Sequence, residues 1–142
     1  MKPYILSFVS SEDYNLFLQI RRVVQEIPEI DIGRDEKGKK ILVSCHMITR
    51  ALAYYFPVEY RDGYFFQKHL QHSWLVRGNY IIIDPYPVLM VGAPIMVTNR
   101  LVMSPWRFLY NEQLIPELNT PLFRKRLEKV IKTMGDTIAI LQ

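Results

Sequence analysis

The chain has 142 residues, 49% hydrophobic, 23% charged and 13% aromatic, with a formal net charge of +4. That length and mixture fit one folded domain over residues 1–142 with a real core, and exclude disordered, collagen-like and coiled-coil chains. The single cysteine excludes an intramolecular disulfide framework and any CxxC metal knuckle.

The opening apolar stretch, Met1 to Val9, is too short to hold a signal sequence with its cleavage site, and the run Tyr80 to Ile83 is too short to cross a bilayer. The expectation is a cytoplasmic protein without a membrane partner, with signal-less export as the open alternative. Ser10-Ser11-Glu12-Asp13 is a helix start, a capping hydroxyl followed by acids that suit the first turn's free N–H groups. Leu16, Phe17, Ile20, Val23, Val24 and Ile27 then recur at helical spacing until Pro28. Residues 31–40 are charged, contain two glycines and read as a surface loop. A second helix is predicted from Cys45 to Phe56, with Ile48, Ala51, Leu52 and Tyr55 on one face and Pro57 as its stop. Strand-like segments follow at Val58 to Phe66, Gln71 to Val76 and Tyr80 to Ile83, with Gly78-Asn79 as a turn signal and a further strand at Ala93 to Thr98. Ser104-Pro105-Trp106 opens a short helix. Thr120-Pro121 caps a final one, with Leu122, Leu127, Val130, Ile131 and Met134 facing inward. Helices, then antiparallel strands, then helices make an α+β chain rather than an alternating parallel one.

Cys45, His72 and Asp84 are the candidate catalytic residues. A thiol is a nucleophile only as thiolate, and a helix N-terminus favours that anion through its free N–H groups and dipole. An imidazole takes the proton, and a carboxylate beyond it fixes the tautomer and stabilises the charge. The Cys45 N–H is a natural oxyanion donor. Strand register tests the idea. A two-residue loop at Gly78-Asn79 would put His72 and Asp84 on opposite faces. A three-residue loop, Arg77-Gly78-Asn79, pairs Val76 with Tyr80 and sets His72 directly across from Asp84, with Asn79 taking the left-handed position. An odd connection or a bulge is therefore expected. Trp74, His46 and Tyr64 are candidate substrate-binding residues. Tyr60 and Asp62 alternate with Tyr64 around Gly63 and line the same pocket or simply pack in the sheet.

Cys45 opening a helix, then His72-Ser73-Trp74-Leu75, then Ile83-Asp84-Pro85 resembles the core of transglutaminase-like cysteine enzymes, within the broader papain-like group. The resemblance covers residues 41–87. It implies a Cys-bearing helix packed on a small antiparallel sheet with flanking N- and C-terminal helices. It also implies Cys45 as nucleophile, His72 as general base and acid, and Asp84 as the orienting carboxylate. The implied activity is acyl transfer from an amide, thioester or ester of a peptide or protein substrate through an acyl-enzyme. Hydrolysis is favoured over deamidation or transfer to an amine, because water is always present and no amine site is legible. No cofactor is implied.

Three other readings compete. A catalytically inactive module of the same fold would bind a peptide or protein partner through the cleft. His69 and His72 with Cys45 and Asp84 have zinc-ligand chemistry, although residues three apart on a strand face opposite sides. The basic cluster Arg124, Lys125, Arg126, Lys129 and Lys132 is either a solvated helix face or an anionic-partner site; without a nucleic-acid motif, nucleic acid is not an expected partner.

Overall fold

A computed structural model describes residues 4–6, 10–66, 70–78, 81–85, 95–98 and 109–142. The predicted helix at Ser104-Pro105-Trp106, and with it His69, Asn79, Tyr86 and Pro87, lies outside these residues. The described elements are β1 (Tyr4–Leu6), α1 (Ser11–Glu26), α2 (Cys45–Tyr55), β2 (Glu59–Phe65), β3 (Gln71–Arg77), β4 (Ile81–Asp84), β5 (Ile95–Thr98), β6 (Tyr110–Glu112) and α3 (Pro121–Leu141), with a 3-10 turn at Pro116–Asn119. The chain is α+β. Among the described residues, no helix is long and apolar enough to cross a membrane.

Each helix begins where a side chain or backbone can meet its free N–H groups. Ser10 Oγ accepts from the Asp13 N–H at 3.1 Å, and Glu12 and Asp13 lie in the first turn of α1. Thr120 Oγ1 accepts from the Phe123 N–H at 3.2 Å, with Pro121 preset for the first turn of α3. Leu16, Phe17, Ile20 and Val23 of α1, Met47, Ile48, Ala51 and Leu52 of α2, and Val130 and Met134 of α3 form one buried core with Leu75 and Ile83 of the sheet. Leu127 and Ile131 pack at its margin. Leu122 does not face inward as predicted; it is half exposed, and its neighbour Phe123 is the first-turn residue that packs against the core. Tyr55 reaches from α2 to α3, where its hydroxyl donates to the Ile131 carbonyl at 2.7 Å against the bare backbone of Gly135.

Among the described residues the strands form one six-stranded sheet in the order β1-β5-β4-β3-β2-β6. The β1–β5 pair is parallel and the others are antiparallel. Side chains alternate between the two faces. Tyr60, Asp62, Ser73, Leu75 and Ile83 point to the side packed by α2. Phe65, His72, Trp74, Ile82 and Asp84 point to the other, by the registers Tyr60↔Leu75, Asp62↔Ser73, Gly63↔His72 and Leu75↔Ile83. Arg77 ties the end of β3 to α1, its Nε donating to Asp13 at 2.6 Å and its Nη2 to Glu12 at 2.8 Å.

Candidate active site

The β3–β4 register corrects the predicted hairpin. Arg77 pairs with Ile81, and Val76 with Ile82, so the three intervening residues are Gly78, Asn79 and Tyr80 rather than Arg77, Gly78 and Asn79. The connection is odd, as the same-face argument required. Gly78 has a positive φ of 61°, where the absence of a Cβ removes the steric penalty; Asn79, expected in the left-handed position, lies outside the described residues. Continued one step, this register sets Trp74 rather than His72 opposite Asp84. His72 is then the diagonal neighbour on the same face, a separation that a ring and a carboxylate span. His72 Nε2 lies 2.8 Å from Asp84 Oδ2, and both side chains are fully buried. A carboxylate only accepts, so Nε2 carries the proton and Nδ1 is left for another partner.

That partner is approached from α2. Cys45 is its first residue and is partly exposed. Ser44, the N-cap, makes no side-chain cap and no acid lies in the first turn, so none of the helix's own first side chains competes for the dipole's positive end. The thiol acts on the His72 ring. Burial pushes the imidazole pKa down, but the bond to Asp84 and the interactions with Cys45 and with both charges outweigh it and raise the pKa to about 9. Among the described residues His72 Nδ1 has no hydrogen-bond partner of ordinary geometry. The thiol acts on the ring without meeting it in a hydrogen bond of ordinary geometry.

Aromatic rings enclose the imidazole. Trp74 stacks at 6.2 Å between centroids, and Phe65 meets it edge-on at 5.8 Å. Tyr110, on β6, lies 6.4 Å from the ring and donates its hydroxyl to Asp84 Oδ2 at 2.7 Å. Burial and the Asp84 charge push the Tyr110 phenol pKa upward, which keeps it a donor. Tyr110 was not legible in the sequence: it stands 26 residues beyond Asp84 on a three-residue strand with no motif around it.

His46 does not lie on that face. Its Nδ1 is 2.6 Å from Ser73 Oγ, Ser73 donates to Asp62 Oδ1 at 2.6 Å, and Asp62 is gripped by both guanidinium nitrogens of Arg50 at 2.9 and 2.6 Å. Arg50 stacks over Tyr60 at 4.3 Å. Burial, against the pull of Asp62 and with the push of Arg50 and His72, lowers the His46 pKa and favours the neutral ring. Tyr64 shares the Asp62 side of β2, so strand alternation separates it from His72 and Trp74, and it is partly buried. Sequence reasoning placed Asp62 near the pocket but did not see Ser73 or Arg50 as its partners. Arg124, Lys125, Lys129 and Lys132 are exposed on α3. Among the described residues no group of three or more His, Cys, Asp or Glu side chains is arranged to hold a metal ion.

In comparisons with known proteins the chain matches no family profile, no curated protein and no solved structure.

Proposed function

We propose that this protein is a cysteine-nucleophile acyltransferase or hydrolase with a transglutaminase-like core, acting on an amide, thioester or ester of a peptide or protein. The observation that carries the reading is His72, pinned through Nε2 by Asp84 while its remaining nitrogen is free for the thiol of Cys45. Cys45 passes its proton to His72, and the thiolate attacks the carbonyl carbon. A C–S bond forms as the C–O π pair moves to oxygen, where N–H groups at the start of α2 meet the oxyanion. The carbonyl re-forms, the C–N, C–S or C–O bond to the leaving group breaks, and the His72 imidazolium protonates the departing atom. His72, neutral again, takes a proton from water, the hydroxide adds to the thioester, and the C–S bond breaks to release the acid and the Cys45 thiolate. An amine in place of water gives transfer.

Iodoacetamide alkylation of the native protein across pH tests the reading. The expected result is reactivity of Cys45 that persists well below pH 8 and falls in His72→Ala. A thiol that titrates as a free cysteine, indifferent to His72, would leave only a binding module of this fold.

A further inference from the structure

Cys45 and His72 are 27 residues apart, and so are their immediate successors His46 and Ser73, which touch at 2.6 Å. The contact therefore joins α2 to β3 one residue beyond the place where thiol and imidazole must meet. Its chemistry is determined by what lies behind it. Asp62, held by two nitrogens of Arg50, is an acceptor, so the single hydroxyl proton of Ser73 goes to Asp62 Oδ1. Ser73 Oγ can then only accept from His46, which fixes the ring proton on Nδ1. Ser73 is fully buried, and Arg50 and Asp62 are largely so, with side chains 9% and 15% exposed. A chain of charge-assisted bonds in such surroundings has one satisfied arrangement and resists sliding. Arg50 closes the loop by donating to the His46 carbonyl at 3.1 Å in the first turn of the same helix.

We infer that His46, Ser73, Asp62 and Arg50 are positioning residues for the nucleophile: a clamp behind the sheet that fixes the Cys45–His72 spacing and holds His46 as its Nδ1–H tautomer. This rests on the cysteine-nucleophile reading above. The clamp touches neither substrate nor the reacting atoms; it acts through the seating of α2. A displacement of about 1 Å between reacting groups costs up to roughly a hundredfold in rate, so loosening the clamp should show in the thiol long before it unfolds the chain.

The test follows the pH profile of Cys45 alkylation in the full-length protein. Ser73→Ala should lower the rate at pH 6 by roughly tenfold to a hundredfold and move the profile toward that of His72→Ala. His46→Gln should do the same, because its amide stands where Nε2 was. His46→Asn should retain most of the wild-type profile, because its amide nitrogen replaces Nδ1 and still reaches Ser73. Nitrogen-15 NMR of the wild-type imidazoles should show the neutral His46 protonated on Nδ1, a readout that needs no variant to fold. An Nε2–H tautomer, an unchanged profile in folded Ser73→Ala, or an Asn variant as impaired as the Gln variant overturns the clamp. A wild-type thiol indifferent to His72 overturns the enzyme reading instead, so the two failures are distinguishable.

Discussion

At the scale of single residues, His72 is a buried base whose charge is decided by its neighbours. Desolvation favours the neutral ring, but Asp84 and Cys45 favour the cation more, and the pKa stands at about 9 against an ordinary 6.5. A folded-state value above the unfolded one contributes stability that is fully present below pH 6.5 and is lost as pH rises through about 9. The urea midpoint should therefore fall between pH 7 and 10, and His72→Gln should flatten that slope; a wild-type midpoint unchanged over this range would contradict the pairing. Asp84→Asn removes the charge that offsets burial. The ring then turns neutral at physiological pH, and Cys45 alkylation at pH 6 should drop roughly tenfold or more. Tyr110→Phe withdraws a donor from Asp84 Oδ2 and should cost about 1–3 kcal/mol in urea unfolding. Cys45, His72 and Asp84 were legible as candidates because a thiol at a helix start, then an imidazole in H-x-W and a carboxylate in D-P, stand in that order; the structure brings His72 onto Asp84 and Cys45 near the ring. Tyr110 and Ser73 were not, since a tyrosine on a short strand and a serine beside a histidine carry no signal until the sheet brings their partners together.

Among elements, β3 carries the most. Successive positions serve opposite faces, His72 toward Asp84 and Ser73 toward His46. The parity of the β3–β4 connection was legible from the need to put base and carboxylate on one face. The pairing was not, because Gly78-Asn79 marks a turn without fixing which residue opens it, and the loop opens at Gly78 rather than Arg77. Among the described helices, α1 and α3 were readable from capping residues and all three from 3.6-residue periodicity and flanking prolines. β1 and β6 were missed, since a three-residue strand is too short for alternation to register. β6 also rests on Gly63: a Cβ there would stand 1.9 Å from the Asn111 carbonyl oxygen, a backbone atom that yields only if the strand does. Gly63→Ala should destabilise the protein by about 1–3 kcal/mol. It should also move Tyr110, the residue before Asn111, off Asp84, so a Tyr110→Phe change added to it should cost less than it does alone.

On the scale of the whole molecule, among the described residues α2 packs on one face of the sheet, with α1 and α3 joined to the same core, while an aromatic-walled histidine occupies the other face. Cys45 links the two sides from the tip of α2. The α+β class followed from the order of elements, but the six-strand order did not, because β5 and β6 take their places through long connections that leave no local pattern. Amide exchange should be slowest in α2, β3 and β4, which hold Leu52, Leu75 and Ile83 fully buried. The turn from Asp35 to Lys39, closed by bonds to Asp35 and exposed throughout, should exchange fastest among the described loops. A protected turn there beside a fast α2 would refute this packing order.

The alternation along β3 also bears on how such a chain can vary over evolution. His72 and Ser73 are neighbours, so a shift of β3 by one residue would exchange their faces and break both partnerships at once. Insertions in the Asp35–Lys39 turn disturb neither. Length changes accepted by descendants of this sequence should therefore accumulate in that turn, while the spacing from Cys45 to Ser73 can change only outside α2 and β3, in the connections around β2, and side-chain identity drifts elsewhere.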